Sequence, residues 1–235
     1  MTEDRTRNGS EPARITLVDV VVAVASFAGI IGAVFIYSRI VAGVNLDEET
    51  DSIVWAAVSF FAHLIAVVFL IWYLKKRGVG AGLNPLRKDA WHLLWEAPLI
   101  VLGSLFAGIL VSDLIVGAPE SDQTSQDAQE LSVLLLIIQF VTLAAGPLFE
   151  ELLMRRVVMG YLNRFMPAFA SILLSSAAFA LLHFNPSVQA MTAFFVAGIG
   201  LALVARRHQS LWASVIVHTC NNLLVLVASA LVVLA

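Results

Sequence analysis

A bundle of about seven membrane-spanning α-helices is the fold this sequence predicts, on three observations. The 235 residues are 60% hydrophobic and only 13% charged, whereas soluble domains are about 45–50% apolar with about 25% charged. The apolar residues lie in long continuous runs with no strict two-residue alternation. Helices therefore satisfy the backbone in lipid better than a closed barrel would. Apart from Arg39, the lysines and arginines cluster at alternate ends of those runs, as the positive-inside rule requires of a polytopic chain.

The runs follow in order. A polar tail of mixed charge, Met1 to Arg14, precedes the first run, Ile15–Val44. No small-residue cleavage site follows, so that run is expected to be a retained signal-anchor helix. The next runs are Ser52–Leu74, Trp91–Gly117 and Leu131–Gly146, the last continuing toward Asn163. Ala168–Phe184, Val188–Ala205 and Leu211–Ala235 complete the set. Each is close to the roughly 20 apolar residues a span needs.

Orientation comes from the connections. The tail carries Arg5, Arg7 and Arg14, and the next loop, Asn45–Asp51, holds only acids. Lys75, Lys76, Arg77, Arg87 and Lys88 follow the second run, and Ala118–Glu130 again lacks cations. Arg155, Arg156 and Arg164 come next, then a short turn at Asn185-Pro186-Ser187, then Arg206 and Arg207. The alternation predicts a multi-pass membrane protein with a cytoplasmic N-terminus and an outer C-terminus. In a prokaryote that membrane is the cell membrane. Gly78–Pro85 reads as a cytoplasmic loop.

The formal net charge is −3, and no basic stripe or tail points to nucleic acid. The single cysteine, Cys220, cannot form an internal disulfide.

Ionisable groups inside a span are costly, and each is a candidate for function. Asp19, His63, Glu96 and Asp113 are isolated in the first three runs, and a structural role is the expectation for all four. The second half differs, because its polar residues come in spaced sets. Glu150 and Glu151 are followed by Arg155, which lies one helical turn from Glu151. Glu150 points about 100° away at roughly 3.6 residues per turn. One carboxylate can thus be neutralised by arginine while its neighbour stays free. Phe179 and His183 form a second set at four-residue spacing, and His218 and Asn222 a third. Singly, each set is also explained by an ordinary helix end, a satisfied histidine or helix–helix hydrogen bonding. Together they place a carboxylate, two imidazoles and an amide on three helices that must converge to hide them. Carboxylate and imidazole around a trapped water is hydrolytic chemistry.

These sets resemble the EExxxR, FxxxH and HxxxN motifs of the CAAX-protease and bacteriocin-processing (CPBP) family, in that order. The segments Phe194-Phe195-Val196-Ala197-Gly198-Ile199-Gly200 and Ser210-Leu211-Trp212-Ala213-Ser214 add to the likeness. It covers roughly residues 131–225. The resemblance implies an intramembrane glutamic endopeptidase, often labelled a metalloprotease, with its cavity inside the membrane. By position, Glu150 would activate water with His183, and His218 and Asn222 would stabilise the oxyanion. Glu151 and Arg155 would shape the site. The implied organisation is a cytoplasmic tail (1–14), variable N-terminal spans (15–130) and a catalytic core (131–235). The implied partners are the bilayer and a peptide or protein that reaches it, prenylated substrates among the candidates.

Glu150, His183 and His218 are a donor set that can bind zinc. No HExxH occurs, and these ligands sit one to a span, so the metal-free glutamate mechanism is the preferred reading. A non-enzymatic immunity or scaffold protein is the alternative; a decayed site would be expected to have lost some of Glu150, His183, His218 and Asn222.

Straight helices pose a difficulty of depth. His183 would lie some 16 residues, or roughly 24 Å, from the cytoplasmic start of its run, and His218 only a turn or two from its own. Glu150 would lie near the cytoplasmic end unless its helix continues to Asn163. A break or tilt at Gly146-Pro147 is the expected remedy, with the cavity in the cytoplasmic half or near the midplane.

Overall fold

The computed structural model describes residues 14–41, 44, 47–86, 88, 90–115, 145–185 and 187–234. Among these residues there is no strand. Seven helices account for the fold: α1 (Leu17–Val41), α2 (Glu48–Lys76), α3 (Leu93–Ile115), α4 (145–162), α5 (Ala168–Leu181), α6 (Val188–His208) and α7 (Leu211–Leu234). The all-α bundle is the predicted one. Four helices, at 17–40, 50–76, 90–115 and 188–208, are long and apolar enough to cross a membrane. Their outer faces carry Phe35, Trp72, Phe106 and Leu114, all exposed, as lipid contact requires.

The helix ends alternate. At one end, Arg77 after α2 reaches Asp19 and Thr16 at the start of α1, and Arg164 after α4 donates to the Ile15 carbonyl. At the same end Glu96, early in α3, pairs with Arg207 and His208 at the end of α6. The loop after α2 is pinned there too, because Arg156 donates to Gly80 O and Leu211 N, opening α7, donates to Gly82 O. At the opposite end Tyr37 of α1 donates to Asp51 of α2. The cationic connections are thus gathered at one end of the bundle.

α4 is the central element, packing against α1, α5 and α7. Phe149, Leu152, Leu153 and Val157 on it are fully buried. α6 packs against α3, α5 and α7, and small residues set its approach. A side chain at Gly198 would place Cβ 3.0 Å from Ser176 Cβ and 3.2 Å from Ser176 Cα. At Gly108 on α3 it would meet the Gln189 carbonyl at 2.7 Å. Such small-residue contacts let helix backbones approach closely where lipid supplies no hydrophobic drive.

Several expected boundaries move, each for a local reason. The acids at 48–51 open α2 instead of forming a loop: Asp47 caps the helix by accepting from Thr50 N, and acidic residues favour a first turn. α5 stops at Leu181, short of Phe184, which has a φ of +47°. α6 continues past Ala205 to His208 and ends on Gln209 in the left-handed region. Residues 145–151 are helical straight through Gly146 and Pro147. The irregularity comes later, as a π-helical stretch at Leu152–Val158. The tail at 1–13, the loop expected at 118–130 and the run expected at 131–144 lie outside the described residues.

The isolated polar groups of the first half are satisfied locally. Asp19 is fully buried and accepts from Thr16 N, Thr16 Oγ1, Tyr73 OH and Arg77 Nε. His63 bonds to Ser59 O, and Asp113 is exposed near the end of α3.

Candidate active site

The site forms where α4, α5 and α7 meet, with α1 closing one side. Glu150 and Glu151 sit immediately before the π stretch of α4. π insertions recur at functional positions because they re-aim neighbouring side chains. α4 continues to residue 162, so Glu150 lies about 12 residues, or roughly 18 Å, inside the cation-rich end. That depth is close to His183's, which removes the difficulty straight counting posed for this pair.

Glu151 is wholly buried and doubly held. Its Oε2 lies 3.2 Å from Arg155 Nε, and its Oε1 lies 3.1 Å from His218 Nδ1. A carboxylate only accepts, so Nδ1 carries the proton in that contact. Arg155 is itself only 1% exposed at its side chain, and its guanidinium lies over the Phe179 ring, 5.1 Å from the centroid. Phe179 also meets His218 edge-on at 5.6 Å and His183 at 4.7 Å. This phenylalanine is the hub on which the arginine and both histidines rest.

Glu150 is freer. Its Oε2 is buried with no hydrogen-bond partner among the described residues, and His218 Nε2 stands 3.8 Å away. His218 thus lies between the two glutamates. His183 donates from Nδ1 to the Phe179 carbonyl at 2.8 Å and stacks on Phe194 at 3.9 Å. That leaves Nε2 as the lone-pair nitrogen of its neutral ring.

Glu150 and His183 line one small cavity of about 60 Å³, walled by Phe27, Leu153, Met154, Phe179 and Leu182. It has room for ordered water, which needs only about 10–15 Å³ and a few polar partners. Asn222 is not among the residues that line this cavity. It lies one turn beyond His218 on α7, and its Oδ1 accepts from Asn221 Nδ2 at 3.4 Å.

Sequence reasoning missed two residues of the site. Phe27 comes from α1, far away in sequence, and stacks on Phe149; no local signal marks it. Phe194 lies in a recognised segment, but only the turn between α5 and α6 puts its ring on His183. Among the described residues, no three His, Cys, Asp or Glu side chains are gathered so as to hold a metal ion. His218 Nδ1 is taken by Glu151 and His183 Nδ1 by a carbonyl. Such bonds at Nδ1 leave each Nε2 free, as they do in histidines that hold a metal.

The all-helical bundle thus brings paired glutamates and two histidines together at its centre. Residues 132–224, 93 of the 235, match the family of type II CAAX prenyl endopeptidase Rce1-like proteins. This partial match supports a likeness to the CAAX-protease and bacteriocin-processing family. It is also 22% identical over 177 residues to "Putative membrane peptidase YdiL" of Bacillus subtilis (strain 168), covering 74% of this chain and 70% of that protein. Both likenesses are to membrane proteases. No solved structure matches the chain significantly.

Proposed function

We propose that this protein is an intramembrane endopeptidase that hydrolyses peptide bonds of membrane-associated proteins or peptides, with Glu150 as its general base. The observation that carries the reading is the cavity of about 60 Å³ shared by Glu150 and His183, into which a partly free carboxylate and an imidazole face together.

A water held there would give its proton to Glu150, with His183 Nε2 accepting its second hydrogen bond. The oxygen attacks the scissile carbonyl, and the carbonyl electrons move onto oxygen. Glu150 then returns the proton to the leaving amine as the tetrahedral intermediate collapses. His218 stands beside Glu150, oriented by Glu151 through Nδ1. That tether defines its role: a neutral ring offers only a lone pair at Nε2, so His218 donates to an oxyanion as the imidazolium. With His218 in that form, the charges of Glu150, Glu151, Arg155 and His218 sum to zero. Asn222 would join the oxyanion contact by turning away from Asn221. Glu151 and Arg155 are positioning residues.

The catalytic core on this reading is residues 131–235, and the substrate enters from the bilayer, with lipid-modified C-terminal peptides the first class to try. The clustering of cationic connections at one end supports an orientation with that end, and the N-terminus, in the cytoplasm.

The test is cleavage of labelled, membrane-anchored peptides, some farnesylated, by the purified chain in detergent. Glu150→Gln keeps shape and removes the base. It should lower kcat by about 100- to 10,000-fold while the melting temperature holds. Undiminished cleavage in a preparation shown to be free of other proteases would remove Glu150 from the mechanism.

A further inference from the structure

A second pocket, of about 180 Å³, opens at the cation-rich end of the bundle, with Arg155 among its lining residues. It is three times the volume of the glutamate–histidine cavity. Arg155, Arg156, Arg206, Asn84, Gln209 and Ser210 are among the residues that line it, and no carboxylate does.

Three features make it a built site. Its walls are tied together, because Asn84 Nδ2 donates to Gln209 O at 2.9 Å, Ser210 Oγ donates to Asn84 O, and Leu211 N donates to Gly82 O at 2.9 Å. These bonds fix the loop after α2 against the junction of α6 and α7. Secondly, Arg155 is fully buried, and both its Nη1 and Nη2 have no hydrogen-bond partner among the described residues. Buried guanidinium donors without an acceptor are costly, and Arg155 is also one of the residues that line the pocket. Thirdly, the charges are uncompensated. Glu151 balances Arg155, but neither Arg156 nor Arg206 has a carboxylate partner among the described residues, and Arg206 is exposed. The N-terminus of α7 adds its positive end.

From these features we infer that the pocket bounded by Arg155, Arg156 and Arg206 binds a phosphate group. Arginine forks match phosphate oxygens in bidentate fashion, and two unbalanced guanidinium charges suit a phosphate better than a single carboxylate. An anionic phospholipid headgroup and a soluble phosphate share this chemistry. Basic pockets between transmembrane helices on the cytoplasmic side are known sites for anionic headgroups. The inference does not depend on protease activity, so its test and the cleavage test fail separately.

The experiment is thermal unfolding of the full chain in detergent. Phosphatidylglycerol, phosphatidylcholine or inorganic phosphate would each be added at matched ionic strength. Native mass spectrometry would count the bound molecules. At a concentration about a hundredfold above Kd, a ligand for the folded state should raise Tm by roughly 5–10 °C. Arg206→Gln and Arg156→Gln should each remove most of that rise. Lys76→Gln, an exposed cation outside the pocket, should keep it. A rise with phosphatidylglycerol alone assigns the site to the bilayer; a rise with inorganic phosphate alone assigns it to a soluble ligand. A rise with both means that the phosphate group itself is recognised. The inference is overturned if neither phosphate source stabilises, if phosphatidylcholine does so equally, or if the rise survives in both arginine variants.

Discussion

Arg155→Met isolates the buried ion pair that frames the site. Arg155 Nε lies 3.2 Å from Glu151 Oε2, with side chains 1% and 0% exposed. Solvent screening is negligible at that burial. Removing one partner of such a pair leaves an uncompensated charge and costs about 3–5 kcal/mol. At ~2–4 °C per kcal/mol for a chain of this size, Tm should fall by roughly 6–20 °C. The methionine roughly conserves volume, so the loss reports charge more than packing. The paired variant Glu151→Gln with Arg155→Met removes both charges, and the glutamine keeps an acceptor for His218 Nδ1. It should recover most of the lost stability, because replacing a whole buried pair is often neutral. Thermal unfolding of wild type, both single variants and the double variant in one detergent completes the cycle. If the double variant melts as low as the sum of the singles, the two residues do not interact and the ion pair is not what holds this part of the site together.

Other consequences are simpler to check. His183→Ala should cost about 100-fold or more in kcat as a partner of the water, with Tm little changed; equal activity would assign the ring to packing on Phe194. Gly198→Leu drives a side chain into the Ser176 backbone and should destabilise by about 1–3 kcal/mol; an unchanged Tm would show that α5 and α6 can separate freely. Asp19→Ala strands Tyr73 OH and Arg77 and should cost about 1–3 kcal/mol without altering kcat, read from melting and cleavage together. Phe27→Trp enlarges one wall of the glutamate–histidine cavity and should depress cleavage while Tm holds; full activity would place the reacting water elsewhere.

The candidate site was legible because lipid makes polar residues conspicuous. Glu150, Glu151, Arg155, His183 and His218 stood out as polar groups at helical spacing in apolar runs, and burial forces such groups together. The i, i+4 pairing of Glu151 with Arg155 was readable for the same reason, even though a π stretch begins between them. Geometry between helices was not readable. Tying Nδ1 of His218 to Glu151, with Nε2 turned toward Glu150, depends on the rotation of α7 against α4, which no local pattern encodes. The stop of α5 at Leu181 and the π stretch were likewise invisible to a count of apolar residues. Charge misled at 48–51, where acids read as a loop are the first turn of a helix.

Phe27 carries one more consequence. Its ring comes from α1, yet it walls the pocket that holds Glu150 and His183. The segments that carry Glu150, His183 and His218 are therefore not a self-sufficient module to be cut out and transplanted. A fragment of residues 131–235 would leave that wall to acyl chains, and a chimaera carrying another protein's first helix would inherit a differently shaped chamber. Sequence drift in the leading helices is then a way to reshape that pocket while every motif residue stays in place.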